Sequence, residues 1–176
     1  ERGTGRKVSL SRDVKNALPD ARLAETLENG LLDGIMTGVL ARYPMTDIEA
    51  VCVSAAMVDP EVSDEVAFRS AAMMGFREAA ESAAPEFLEP IMKLEITVPP
   101  ESVGEVLGDL NSRRGSVLDM DMRGDMQIVH ARVPMAAMFG YATAIRSLTK
   151  GRASYSMEPD MFEIAPKNVR EDILSR

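Results

Sequence analysis

The cationic side chains in the second half of the chain are concentrated in one stretch. Residues 113–152 hold seven Arg or Lys and three Asp, in a chain whose formal net charge is −8. Because guanidinium and ammonium groups bind phosphate oxygens, this local positive excess indicates a surface that could contact a nucleic-acid backbone. An ordinary solvated face is the alternative interpretation. The seven cations are Arg113, Arg114, Arg123, Arg132, Arg146, Lys150 and Arg152.

Four of these cations lie at the ends of two predicted helices. Arg113 and Arg114 follow a segment of helical periodicity, and Lys150 and Arg152 flank Gly151. We expect their side chains to reach outward from helix-to-strand corners, where a guanidinium fork suits phosphate. Cations at a helix C-terminus also offset the helix dipole, so stabilisation of the helix is the alternative.

The other residues that could act as ligands or nucleophiles are more typical of structural roles. His130 is the only histidine, so we expect a half-buried structural side chain without a metal. Cys52 is the only cysteine and lies in an apolar run, which excludes an intrachain disulfide and is typical of a buried, inert thiol. Asp119 and Asp121 share one face of a predicted strand, and we expect them to be solvated. The sequence therefore predicts no catalytic, cofactor or metal site.

Hydrophobic periodicity divides the chain into two small α+β domains, residues 1–88 and 89–176, separated by a proline-bounded segment. The first domain combines predicted helices at 21–40 and 64–83 with a strand at 47–53. Gly30 and Gly34 lie inside the first of these helices and predict that it is weakened or kinked.

The second domain alternates in the order strand, helix, strand, strand, helix, strand. This is the ferredoxin-like βαββαβ pattern, which predicts a four-stranded antiparallel sheet covered on one face by two helices. A short terminal helix follows it. The predicted strands are 92–98, 116–122, 126–133 and one within 153–164, and the predicted helices are 102–112 and 135–148.

The chain lacks the sequence features needed for a membrane-spanning helix and for GTP hydrolysis. No apolar stretch approaches the ~20 residues that a membrane-spanning helix needs. No Gly-x-x-x-x-Gly-Lys-Ser/Thr phosphate loop occurs in the 176 residues, so this chain cannot hydrolyse GTP by itself.

Several segments resemble a known family. Gly-Asp-Leu-Asn-Ser-Arg-Arg-Gly at 108–115, Met-Phe-Gly-Tyr-Ala-Thr at 138–143 and Gly151-Arg152 are similar to the fifth, ferredoxin-like domain of elongation factor G, the GTPase that drives translocation on the ribosome. Residues 29–44 and 67–72 resemble its fourth domain, which shares its fold with a domain of a small-subunit ribosomal protein. The resemblance covers most of the chain.

The resemblance implies a ribosome-binding C-terminal part of a translation GTPase, supporting translocation in the cytoplasm or in an organelle. Its partners would be rRNA and ribosomal proteins near the factor-binding site, and GTP and Mg²⁺ would belong to GTPase domains expected upstream. It also implies rRNA contacts for Arg113, Arg114, Lys150 and Arg152. Asp59, Pro60 and Glu61 would lie in a tip loop that reaches the decoding centre.

Two departures from the family leave alternatives open. Residues 3–14 are shorter than the family's glycine-rich loop and hairpin, and the loop at 55–65 lacks the histidine of typical translocases. A paralogue in ribosome recycling or ribosome protection is therefore one alternative. From other classes, the alternatives are a regulatory ferredoxin-like domain that binds a small molecule and a small enzyme such as an acylphosphatase. The enzyme would use Arg113 and Asn111 against phosphate, although both lie at a helix end.

Overall fold

The structure is a computed structural model that describes residues 5–18, 20–58 and 64–175. Strands and helices alternate along these residues. In chain order they are β1 (Arg6–Leu10), α1 (Arg12–Ala17), α2 (Ala21–Thr37), β2 (Ile48–Cys52), α3 (Glu65–Ser82), β3 (Leu88–Val98), α4 (Val103–Ser112), β4 (Ser116–Arg123), β5 (Met126–Pro134), α5 (Tyr141–Leu148), β6 (Ser154–Ile164) and α6 (Lys167–Leu174).

The chain divides into two compact units. Leu88–Ile164 forms one, here named the sheet unit, and Arg2–Phe87 with Ala165–Arg176 forms the other, here named the helical unit. The fold class is α+β with two small domains, as predicted. The sequence-based boundaries place all of 89–176 in one domain, whereas the segment that contains α6 groups with the helical unit.

Two contacts, one just before α6 and one in its middle, hold it in the helical unit. The Ala165 N–H donates to the Phe87 carbonyl oxygen at 2.8 Å. Arg170 forms an ion pair with Glu86. No residue of α6 is fully buried, and these two links join it to residues 86 and 87.

The core of the helical unit lies between α2 and α3. Asp20 caps α2, its side-chain oxygen accepting from the Arg22 N–H at 2.9 Å, and α2 ends at Gly38, whose φ of 66° favours glycine. α2 continues through Gly30 and Gly34 as one helix, so neither glycine ends it. Both glycines are buried at the contact with α3. The buried apolar residues are Leu10, Val14, Leu23, Leu27, Leu31, Ile35, Phe68, Ala72, Phe76 and Ala80.

The sheet unit has the predicted ferredoxin-like topology. Its four strands pair antiparallel in the order β4-β5-β3-β6. Alternation along β3 and β5 sends every second side chain to one face, where α4 and α5 cover it. The core on that face consists of Leu94, Ile96, Val98, Val106, Leu110, Val129, Ala131, Val133, Met138, Tyr141 and Ile145.

The opposite face of this sheet, here named the open face, carries polar side chains together with the buried Ile128. It presents Lys93 and Glu95 from β3 and His130 and Arg132 from β5, which pair across the two strands.

Within the described ranges, no helix is both long and apolar enough to cross a membrane.

Candidate functional site

The helices α4 and α5 end in the same backbone arrangement. After α4, the Gly115 N–H donates to the Leu110 carbonyl oxygen at 2.7 Å and the Arg114 N–H donates to the Asn111 carbonyl oxygen at 3.1 Å. Arg114 has a φ of 63°. These nested bonds are those of a Schellman motif, in which the residue at the position of Arg114 is usually glycine.

The end of α5 repeats this arrangement with a second cation. The Gly151 N–H donates to the Arg146 carbonyl oxygen at 2.8 Å, and Lys150 has a φ of 52°. A left-handed conformation costs a residue other than glycine about 1 kcal/mol. Glycine would adopt this left-handed conformation at a lower energetic cost. Capping of the two helices therefore accounts for the backbone conformation of Arg114 and Lys150, but it does not account for the presence of cations at these positions.

Arg113 lies against the protein instead of projecting from it. Its side chain is 18% exposed; Nε donates to Asp109 Oδ2 at 2.8 Å and Nη1 donates to the Ala137 carbonyl oxygen at 2.6 Å. The guanidinium carbon also lies 5.2 Å from the centre of the Tyr141 ring, within range of a cation–π contact. The expectation that Arg113 reaches outward is therefore wrong, since its donors join the end of α4 to the segment before α5.

Arg114 and Arg152 are also engaged within the sheet unit. Both outer nitrogens of Arg114 donate to the two carboxylate oxygens of Glu89, at 2.7 and 2.8 Å. The hydrogen bonds that Arg114 donates to Glu89 raise the pKa of Arg114. Arg152 Nη1 donates to Glu101 Oε1 at 2.6 Å, and the backbone amide of Glu101, followed by this guanidinium, lowers the pKa of Glu101.

Among the cations at the C-terminal end of α5, Lys150 and Arg146 have side chains that remain available. Both are exposed. Neither side chain forms a hydrogen bond or an ion pair with another of the residues that the structure describes, although the Lys150 charge contributes to the lowered pKa of Glu101. The two side chains therefore present uncompensated donors at the C-terminal end of α5.

Phe139 is an exposed aromatic residue that sequence reasoning missed. Its side chain is 82% exposed, just before Gly140 and the start of α5. The buried residues Met138, Tyr141 and Ile145 follow the apolar stripe of this region, and Phe139 is out of phase with them. The position of Phe139 outside this stripe was the sequence signal that could have identified it as exposed. Exposed aromatic rings offer a platform on which nucleic-acid bases can stack.

Asp119 and Asp121, which the sequence predicts to share one face of a strand, lie together with His130 on the open face. Asp119, Asp121 and His130 each place a ligand atom so that all three lie within 4.8 Å of one another. His130 has the half-buried side chain that was expected, and it lies next to the two carboxylates.

Two other features from the sequence analysis are the predicted tip loop and Cys52. Asp59, Pro60 and Glu61, predicted to form the tip loop, lie outside the residues that the structure describes. Cys52 is half-buried in β2, with its thiol 3.4 Å from the Ser54 carbonyl oxygen. It lines an open apolar groove of about 830 Å³ between β2 and α3.

Titration with alkali will show Tyr141 ionising only as the sheet unit unfolds. Burial, and next the charge of Asp109, raise the pKa of Tyr141 far above its ordinary value. The unfolded chain releases this proton near pH 10. The folded chain retains it and therefore binds more protons above that pH, so stability falls as the pH rises. Ultraviolet absorbance of the phenolate, followed together with circular dichroism, measures this.

The matched variant is Tyr141→Phe. It will remove the delayed phenolate step. It will leave the free energy of unfolding at neutral pH unchanged or higher, because the buried hydroxyl has no hydrogen-bond partner among the described residues. A Tyr141 phenolate that forms reversibly near pH 10 in the folded protein would contradict this account.

Comparisons with known proteins cover nearly the whole chain. Residues 5–84 match the family described as elongation factor G, domain IV, and residues 86–173 match the family described as elongation factor G C-terminus. A crystal structure of a protein from Thermus thermophilus is 32% identical, with a TM-score of 0.81, over 97% of this chain and 25% of that chain. This chain thus spans about a quarter of the length of that protein.

Proposed function

The chain belongs to the elongation factor G family, and on that premise we propose that it docks a translation factor on the ribosome. In this proposal the chain itself does no chemistry. The 176 residues contain no phosphate loop, and in this proposal GTP and Mg²⁺ are bound by the GTPase domains of a longer, cytoplasmic protein, as the family implies. Docking would let movement of those domains act on the ribosome and so support translocation.

The uncompensated cations at the end of α5 carry this proposal. Arg146 and Lys150 are exposed and unpaired among the described residues, and Lys150 occupies a position where glycine would cost less backbone energy. Exposed cations with an exposed ring at the other end of the same helix fit the phosphates and bases of RNA. We propose that rRNA contacts this surface, here named the α5 surface.

Arg113, Arg114 and Arg152 are weaker candidates for rRNA contact than Arg146 and Lys150. Each donates to a carboxylate within the sheet unit, so a phosphate would have to compete with that partner. Contact of these three with rRNA stays a prediction. Replacing Arg113 would leave Asp109 and the Ala137 carbonyl oxygen without their donor. A loss of binding in such a variant would therefore mix stability with docking.

The alternatives make different demands on the same residues. An acylphosphatase would need Arg113 and Asn111 directed at a bound phosphate, whereas the Arg113 guanidinium is held by Asp109 and Ala137. Ribosome recycling or protection would use the same docking surface, and assays of subunit splitting and of translocation by the full-length protein separate these roles.

Replacing Arg146 and Lys150 together by Gln will weaken binding to the ribosome and flatten its dependence on salt. Each phosphate contact contributes about one unit to the slope of log affinity against log salt concentration, so the double variant should lose about two units. The measurement is co-sedimentation with ribosomes and with separated subunits at several salt concentrations.

The matched control is Lys93→Gln. Lys93 is a half-exposed cation of the same sheet unit, on the open face, where it lies 3.7 Å from Glu158. This variant should keep the affinity and slope of the original chain. If the double variant also keeps both, the α5 surface does not contact rRNA.

A further inference from the structure

We propose that Asp119, Asp121 and His130 form a binding site for a divalent transition metal, with Zn²⁺ as the best-matched ion. The three residues lie on β4 and β5, on the open face of the sheet unit. One ring nitrogen and two carboxylate oxygens lie within 4.8 Å of one another. This face is opposite α5, so the proposal is independent of the docking surface.

An irregularity in β4 brings these side chains together. Val117 pairs with Ala131 and Asp119 pairs with His130, so the register shifts by one residue between them. Without that shift, Leu118 would face His130, and Asp119 would be turned toward the core face. The β-bulge therefore places Asp119, and with it Asp121 two residues later, on the same face as the imidazole.

The donor set selects the class of ion. Imidazole nitrogen is a good ligand for zinc and related transition metals, whereas Mg²⁺ and Ca²⁺ prefer oxygen ligands alone. Zinc binds nitrogen and carboxylate oxygen at about 2.0–2.2 Å. Donor atoms bound at that distance around a tetrahedral ion lie about 3.3–3.6 Å apart, whereas the three donors here lie within 4.8 Å of one another. Both carboxylates are exposed, so rotation of their side chains is the movement that binding would require. Three protein ligands would leave one position for water.

The surroundings of His130 fit a metal ligand as well. Asp119 Oδ1 lies 3.7 Å from Nε2, and Glu95 Oε2 lies 3.9 Å from Nδ1 on the other side of the ring. Metal-bound imidazoles commonly have a carboxylate at the second nitrogen, which orients the ring. Asp119 and Asp121 form no ion pair with Lys or Arg among the described residues, so a bound cation would compensate two carboxylates that lie beside the imidazole.

Calorimetric titration of the untagged chain with zinc tests the site. We expect one saturable site, and we expect His130→Ala and the double variant Asp119→Asn, Asp121→Asn each to weaken zinc binding by about tenfold or more. Glu158→Gln, which removes one negative charge from the same face of the sheet, should bind zinc as the original chain does. Circular dichroism of each variant confirms that it is folded.

Nuclear magnetic resonance provides a second measurement that does not depend on the variants. Zinc should shift the imidazole signals of His130, the only histidine, and an equal concentration of Mg²⁺ should not. Absence of saturable zinc binding, zinc affinity unchanged in both ligand variants, or unshifted imidazole signals would overturn the proposal. None of these measurements involves the ribosome, so their outcome is separate from that of the docking test.

Discussion

Leu94→Ala will lower the free energy of unfolding of the sheet unit by about 2–5 kcal/mol, because it removes a fully buried side chain from the centre of the core. Leu94 is 0% exposed, on the strand that pairs with both β5 and β6. Its loss leaves a cavity that neighbouring strands cannot close, since two ladders of hydrogen bonds hold β3 in place. Chemical denaturation with hydrogen exchange of β3 and β5 measures the change in that unit.

The matched control for Leu94 is its neighbour across the sheet. Met157 on β6 pairs with Leu94, but it is 40% exposed. Met157→Ala should therefore cost clearly less than Leu94→Ala. If the two substitutions cost the same, or if Leu94→Ala costs less than about 1 kcal/mol, the described core is incorrect.

Gly30→Ala will destabilise the helical unit by about 1–3 kcal/mol, even though alanine is the better helix former. A Cβ atom at Gly30 would lie 2.6 Å from the Arg69 carbonyl oxygen and 2.8 Å from the Ala72 Cβ atom. The first of these atoms belongs to the backbone of α3, so α2 and α3 would have to separate. Thermal and chemical denaturation, followed by circular dichroism, measure the loss.

Gly75→Ala is the same substitution without the clash. Gly75 lies inside α3, and a Cβ atom there would meet nothing within 4 Å. Helix propensity then acts alone, and the variant should be more stable by up to about 1 kcal/mol. Opposite signs for the two variants support close packing of α2 on α3, and a stabilising Gly30→Ala would contradict it.

The sheet unit was the part of the fold most fully predictable from sequence. Apolar alternation at 92–98 and 126–133, with the turn at Gly124 between two strands, determines the order βαββαβ, and the structure confirms the topology. These signals are local and repeat every two residues. The grouping of α6 with the helical unit depends on contacts with residues 86 and 87, far along the sequence, which periodicity does not register.

Glycine in α2 shows how a propensity can mislead. Helix propensity alone predicts weakness at Gly30 and Gly34, whereas the missing side chains are what allow α3 to approach. Which of these effects applies depends on the partner helix. Close packing is a tertiary property, and a single sequence does not display it.

Prediction of the candidate site was limited for the same reason. The sequence indicates which helix ends carry cations, but it does not show that Arg113, Arg114 and Arg152 find carboxylates while Lys150 and Arg146 do not. The group of Asp119, Asp121 and His130 depends on a one-residue bulge in β4. That irregularity leaves no mark in the hydrophobic pattern.

The most direct test of the docking proposal is competition at the ribosome. A fluorescently labelled form of the 176-residue chain is titrated with ribosomes, and unlabelled full-length elongation factor G with a non-hydrolysable GTP analogue is then added. The account predicts saturable binding that the full-length factor displaces, and weaker binding by the Arg146→Gln, Lys150→Gln variant. Absence of saturable binding, or binding that the full-length factor does not displace, would contradict it.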